Sequence, residues 1–286
     1  MRILVTGGTG FIGRAVVLEA LRRGHQVAVM ARTPPASVGE SLFIPGEMAS
    51  PPWSGLERFA PEACIHSAWI ATPGVYQHSP ENDLHLEWST AFLNRLLSQG
   101  VRLTALGTCI EYADTGHPSN EETTPLQPGI PYSQAKDALR QRLFTSPPAG
   151  ARIAWGRVFY PYGPGEDSRR IGTAFIDDLR RRGTLLLQTP ESRKDLIFID
   201  DLARAIVTVT ESPYHGTINL GTGQATTLLE FARRIASALG IDESAIERKD
   251  RPGDCRVAVA TRLEALGWSP QVGLDEGIVR LLRSLD

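Results

Sequence analysis

The first stretch of the chain, Arg2 to Gly13, constrains its fold more than any other. Arg2-Ile3-Leu4-Val5-Thr6 is apolar and rich in strand-forming residues, and reads as a short buried strand. Gly7-Gly8-Thr9-Gly10-Phe11-Ile12-Gly13 comes next without a spacer. A helical pattern then runs from about Phe11 to Arg23 and stops at Gly24. Gly8, Gly10 and Gly13 fit the strand–Gly-x-Gly-x-x-Gly–helix fingerprint of a dinucleotide site, and Gly7, Gly10 and Gly13 fit its Gly-x-x-Gly-x-x-Gly variant. Glycine lets the chain turn tightly and lets backbone N–H groups approach a pyrophosphate, while the helix N-terminus adds partial positive charge.

The next hundred residues extend the α/β pattern. Gln26-Val27-Ala28-Val29-Met30 is a second strand and Leu42-Phe43-Ile44 a short third. Pro34-Pro35 and the segment Pro45 to Pro52 are rich in turn residues. Glu62 to Ala68 reads as a fourth strand that runs into a small-residue turn, where Ser67 and Ala68 let a cofactor come close. His66 lacks a second His or Cys at metal spacing, so a packed strand-end histidine is expected and no metal. Glu81 to Gln99 is a helix with Leu84, Trp88, Phe92, Leu96 and Leu97 at helical spacing, and Val101 to Leu106 a fifth strand. Alternation on this spacing implies right-handed βαβ crossovers and a doubly wound parallel sheet.

The residue after the second strand bears on the cofactor. An Asp or Glu about twenty residues past the glycines would read a ribose 2′-hydroxyl. Ala31-Arg32 stands there instead, and a guanidinium pairs well with a 2′-phosphate, so NADP is expected over NAD. Gly46-Glu47-Met48 lies on the adenine side.

The net charge of −2 gives no reason to expect nucleic acid or a membrane surface as partner, and no apolar run has the length of a membrane span. A strand beginning at the first residues leaves no room for a signal peptide, and Cys64, Cys109 and Cys255 are scattered and odd in number. Reduced thiols in a cytoplasm are the expectation.

The chemistry-bearing residues lie further along. The fifth strand ends in Gly107-Thr108-Cys109-Ile110-Glu111-Tyr112, which places the Thr108 hydroxyl at the ligand crevice. Pro131-Tyr132-Ser133-Gln134-Ala135-Lys136 opens a helix that runs to about Phe144. Tyr132 and Lys136 are four apart and share one face. A free phenol titrates at about pH 10, and a neighbouring ammonium is expected to lower that value toward general acid–base use. Thr108 can bond the same substrate oxygen, and Lys136 can also hold a nicotinamide ribose. Glu111 reads as a strand-end surface carboxylate.

Together these motifs resemble an extended short-chain dehydrogenase/reductase, the NAD-dependent epimerase/dehydratase family acting on nucleotide sugars. Thr6 to Gly13 matches the cofactor turn, with Phe11 and Ile12 inside it. Ile65-His66-Ser67-Ala68 resembles the fourth strand end, and Thr108, Tyr132 and Lys136 fall on the catalytic positions. Further on, Arg157 to Gly165, Lys194 to Asp201, Asn219 to Gly223, Arg251-Pro252-Gly253-Asp254 and Leu266-Gly267-Trp268 resemble family segments. The resemblance implies that Lys194 and Arg251 neutralise the substrate diphosphate. Tyr160 stands where the family has a substrate-contacting Asn. Cys109-Ile110 replaces the Asp-Glu pair of the dehydratases, which argues against 4,6-dehydration. The resemblance also implies a cofactor lobe over residues 1–157 with a segment near 196–211 returning to it, a substrate lobe over 158–286, and a homodimer through the helices near Glu81–Gln99 and Tyr132–Phe144. Arg180-Arg181-Arg182 suits a solvated helix C-terminus.

The leading reading is an NADPH-dependent 4-ketoreductase of a nucleotide-linked keto-sugar. A 4-epimerase with retained NAD needs the same residues. A non-catalytic cofactor sensor on this fold has no need of Thr108, Tyr132 and Lys136 together.

Overall fold

The computed structural model describes residues 1–34 and 39–286, so Pro35 of the expected Pro34-Pro35 turn lies outside the described residues. The chain opens with β1 (Arg2–Thr6), α1 (Phe11–Arg22), β2 (Gln26–Ala31), β3 (Leu42–Pro45), α2 (Trp53–Phe59) and β4 (Ala63–His66). It continues through α3 (Glu81–Ser98), β5 (Arg102–Thr108), a 3-10 turn at Cys109–Glu111, α4 (Pro131–Thr145) and β6 (Ile153–Val158). After these come β7 (Tyr160–Tyr162), α5 (Ile171–Arg182), β8 (Leu185–Leu187), β9 (Arg193–Lys194), β10 (Leu196–Phe198), α6 (Ile199–Glu211) and β11 (Gly216–Leu220). The last elements are β12 (Thr226–Thr227), α7 (Leu228–Leu239), β13 (Ile246–Arg248), β14 (Cys255–Arg256), α8 (Thr261–Glu264) and α9 (Leu274–Arg283).

Seven strands form one parallel sheet in the order β11-β6-β5-β4-β1-β2-β3. Its strands are apolar on both faces because helices cover both. Ile3 and Val5 of β1 point to α1 and α6, where Val16, Val17, Ala20, Leu202 and Ile206 are buried. Leu4, between them, points the other way, to the layer of Phe92, Leu93 and Leu96 on α3 and Leu139 and Leu143 on α4. Strand order reverses between β1 and β4, and the crevice at their carboxyl ends is where an open sheet of this kind receives a ligand.

Local chemistry sets the helices that matter here. Helix α1 starts at Gly10 with no side-chain cap. Pro131 occupies the first turn of α4, where its missing N–H costs nothing and its fixed φ suits the helix. Ser133 Oγ accepts the Ile130 N–H at 3.3 Å and donates to the Ile130 carbonyl at 3.0 Å, which fixes the turn that carries Tyr132. Small sheets made by β7 with β10, by β12, β9 and β14, and by β13 with β8 lie beyond the main sheet. Among the described residues, no helix is long and apolar enough to cross a membrane. Leu84, expected in the buried stripe of α3, is 49% exposed.

Candidate active site

The turn after β1 is built from backbone. Gly7 has φ +71°, and a Cβ there would lie 2.7 Å from the Ala68 nitrogen just past β4. A Cβ at Gly13 would overlap the Gly7 carbonyl, 2.7 Å from its carbon. Gly10 differs: a Cβ there would meet nothing nearer than the Gly7 oxygen at 3.4 Å. Protein packing therefore does not demand glycine at position 10; its bareness keeps open the space over the start of α1. The first-turn N–H groups of Phe11, Ile12 and Gly13 precede the helix's own bonding, which begins with Arg14 N–H on the Gly10 carbonyl.

Thr6 and the β4 end brace this turn from below. Thr6 Oγ1 is hydrogen-bonded to His66 Nδ1 at 2.8 Å, and His66 Nε2 to Ser89 Oγ at 3.1 Å. Burial pushes the His66 pKa down to about 3, so it is a neutral packed histidine, as expected. Ser67 Oγ donates to the Thr6 carbonyl at 2.8 Å. Arg32 is exposed at the end of β2, Glu47 is exposed beyond β3, and Met48 is buried against the α3 side of the sheet.

The second half of the site gathers at the end of β5 and the first turns of α4. Lys136 is 3% exposed and its Nζ donates to the Leu106 carbonyl at 2.9 Å. The same ammonium sits 3.9 Å from the Trp69 ring centroid and 5.9 Å from that of Tyr132. The Tyr76 ring meets Tyr132 edge-on at 4.8 Å, and the Tyr132 N–H donates to the Gln77 carbonyl at 3.2 Å. Thr108 is the last residue of β5, and its Oγ1 accepts the Ile110 N–H at 3.5 Å. The three residues singled out by sequence thus stand on two elements packed against each other at the crevice.

Electrostatics departs from the simple expectation at Tyr132. Burial raises the phenol's pKa, Tyr76 and Glu111 add to the rise, and Arg170 opposes it. The expected depression by a neighbouring ammonium is not what dominates, because desolvation of the half-buried ring penalises the phenolate first. Tyr132 is therefore a neutral phenol over the physiological range. Burial lowers the Lys136 pKa to about 7, against the pull of Glu111.

Glu111 is the largest correction. Expected at the surface, it is 0% exposed. Its Oε1 accepts the Thr108 N–H at 2.9 Å, and its Oε2 accepts from Arg157 Nε at 2.7 Å and Trp155 Nε1 at 3.1 Å. Arg157 Nη1 donates to the Tyr112 hydroxyl, which donates to Asn219 Oδ1 at 2.8 Å. Without partners a buried carboxylate would be untenable; with three donors it becomes part of the frame.

The residues assigned by resemblance to the substrate diphosphate lie apart in character. Lys194 is buried, with Nζ 2.6 Å from both carboxylate oxygens of Asp254 and 4.8 Å from the Tyr160 ring centroid. Its charge is already matched within the protein. Arg251 is exposed. Arg180, Arg181 and Arg182 pair with Asp286, Asp177 and Asp178 around the end of α5, as a solvated helix end should.

Sequence reasoning missed four residues besides Glu111. Trp69 and Tyr76 come from the segment between β4 and α3, where no periodicity marks them. Arg170 lies over the Phe11 ring at 5.5 Å, and Arg14 packs against Gly165. Among the described residues, neither guanidinium has a carboxylate partner within ion-pair range.

Known proteins of this kind are numerous. Residues 3–221 match the NAD dependent epimerase/dehydratase family. The UDP-glucuronic acid decarboxylase 1 of Xenopus tropicalis is 25% identical over 97% of this chain and 70% of its own length. The dTDP-6-deoxy-L-talose 4-dehydrogenase (NAD(P)(+)) of Kitasatospora kifunensis is 25% identical over 98% of this chain and 94% of its own. Among solved structures, the Thermus thermophilus UDP-glucose 4-epimerase complex with NAD superposes with a TM-score of 0.85 at 26% identity, covering 99% of this chain and 98% of that one.

Proposed function

The chain belongs to the NAD dependent epimerase/dehydratase family, the extended short-chain dehydrogenase/reductases, and we propose that within it the protein is an NADPH-dependent 4-ketoreductase of a nucleotide-linked keto-sugar. The observation that carries this reading is Arg32, exposed just past β2 where a carboxylate would otherwise read a ribose 2′-hydroxyl. NADPH is the reduced, exchangeable cofactor that a reductase consumes, and Tyr132 would give its proton to the substrate oxygen.

The open space above Gly10 fits a dinucleotide whose diphosphate meets the N–H groups of Phe11, Ile12 and Gly13, with Gly7 shaping the turn. Arg32 would pair with a 2′-phosphate, Glu47 and Met48 would flank the adenine, and Ser67 and Ala68 would line the path to Tyr132 and Lys136. Arg14 and Arg170 add positive charge beside the same turn. When bound, the nicotinamide would supply the hydride. Tyr132 would protonate the carbinol oxygen, Thr108 would hold that oxygen by its hydroxyl, and Lys136 would anchor the ribose. Tyr160, Lys194 and Arg251 would meet the nucleotide-sugar portion, with Asp254 yielding Lys194 to the diphosphate.

In this reading residues 1–157 and 196–211 serve the cofactor and the remainder of 158–286 serves the sugar nucleotide. Helices α3 and α4 would pair two copies, with the half-exposed Leu84 at the seam. Purified protein given NADPH and a nucleotide-linked 4-keto-sugar should consume one NADPH per sugar reduced. Interconversion of UDP-glucose and UDP-galactose with no net change in cofactor would instead make it an epimerase, as the Thermus thermophilus relative is.

A further inference from the structure

The end of β5 is held between two opposite charges. On one side Lys136 Nζ donates to the Leu106 carbonyl at 2.9 Å. On the other, the Thr108 N–H donates to Glu111 Oε1 at 2.9 Å. Only Gly107 lies between, so two consecutive peptide groups link the ammonium to the carboxylate. Gly107 has no room for a side chain, because a Cβ there would lie 2.5 Å from Glu111 Oε1 and overlap the Trp155 indole. The carboxylate is thus pressed against the strand backbone that carries Thr108.

The Thr108 N–H bond to Glu111 is one half of a capping box whose other half is the Thr108 hydroxyl accepting the Ile110 N–H, so the carboxylate and Thr108 fix each other. Arg157 takes one carboxylate oxygen through Nε and satisfies its Nη1 with the Tyr112 hydroxyl. The other oxygen, Oε1, accepts the Thr108 N–H, with the Trp155 indole N–H at 3.3 Å. We propose that Glu111 is a positioning residue: its buried carboxylate orients Thr108 through the backbone N–H and, two peptide groups away, its charge acts on the Lys136 ammonium. The inference rests on the placement of Thr108 and Lys136 in the site, and not on which sugar is the substrate.

The surroundings of Lys136 leave this task to Glu111. From β4 comes His66, held neutral by burial, and from α3 His85, whose pKa burial also lowers. From α4 itself comes the neutral Tyr132, and Asp137 is turned to Arg140 and Gln141. Cys109, in the 3-10 turn, is a thiol whose pKa burial raises to about 12. Arg157 on β6 is positive and is matched by Glu111 itself. Trp69 offers an uncharged ring face. Among the described residues, Glu111 is the one carboxylate whose charge acts on Lys136.

The chain has only three lysines, Lys136, Lys194 and Lys249, so lysine side-chain NMR resolves each. With protein carrying 13C-labelled lysine, and Lys136→Met to assign the signal, Lys136 should titrate at about 7 in the full-length protein. In Glu111→Gln the same signal should titrate about one unit lower or more. An unchanged midpoint overturns the proposal. Should Glu111→Gln fail to fold, the coupling is read in reverse, since it is reciprocal. In Lys136→Met the Thr108 amide shift, which reports the charge of its acceptor, should show Glu111 titrating at higher pH than in the unsubstituted protein; no change there overturns it equally. Neither measurement uses a sugar or a cofactor, so a failed reductase assay and a failed coupling are separate results.

Discussion

Two strand ends make this site, and they are built by opposite means. The turn after β1 is shaped by glycine, backbone amides and a neutral histidine beneath, with Arg14 and Arg170 only beside it. The end of β5 is held by ions, with Lys136 on one side and Glu111 and Arg157 on the other. The first is a steric solution, in which the shape fails if an atom is added. The second is an electrostatic one, in which the shape fails if a charge is removed. In the proposed function the first would meet a cofactor diphosphate with backbone amides, while the second would hold Thr108 within a fixed field.

The difference can be broken by substitution. Glu111→Ala should have the largest effect on stability, about 3–5 kcal/mol in chemical denaturation, because it strands Arg157 without a counter-charge. A loss below about 1 kcal/mol would mean the ions do not hold the β5 end. Acid should act on the other region. His66 is neutral in the fold with its pKa lowered to about 3 from an ordinary value of 6.5. The unfolded chain therefore binds more protons between those values, and stability from this group is full above the unfolded pKa and falls as pH drops toward the folded one. The expected loss is a few kcal/mol, read as a difference in denaturation midpoints between about pH 7 and about pH 4 that His66→Asn reduces.

Glycine substitutions sharpen the contrast further. Gly13→Ala should cost about 1–3 kcal/mol of stability and also weaken dinucleotide binding, since its Cβ collides with the Gly7 carbonyl. Gly10→Ala should leave the melting temperature nearly unchanged and weaken binding alone, measured by nucleotide fluorescence titration. Equal melting losses for the two would mean that Gly10 is not bare for a ligand. The smallest effect is expected from Arg32→Ala: about tenfold weaker NADPH binding with NADH binding unchanged.

The same contrast explains what was legible in the sequence. The glycine turn, the β-α alternation and the Tyr132–Lys136 spacing are local patterns, and the structure places each where the pattern put it. Glu111 was misread because its partners Trp155 and Arg157 lie on the adjacent strand, 44 and 46 residues on. The resemblance gives Lys194 to the substrate diphosphate and says nothing of Asp254, which pairs with it from 60 residues away. Helix α2 escaped notice because Pro51-Pro52 reads as loop and seven residues are too few to show a period. Trp69 over Lys136 had no signal at all, since a single aromatic after a small-residue turn carries no periodicity.

Everything proposed for the chemistry depends on Tyr132 as a neutral phenol that hands its proton to a substrate oxygen beside Thr108. The most direct test compares the unsubstituted protein with Tyr132→Phe, a change that keeps the ring and removes only the hydroxyl. Under saturating NADPH and nucleotide-linked 4-keto-sugar, the variant should bind NADPH normally and turn over about 10²–10⁴-fold more slowly. Turnover within a few-fold of the unsubstituted protein would contradict a proton-donating role for Tyr132.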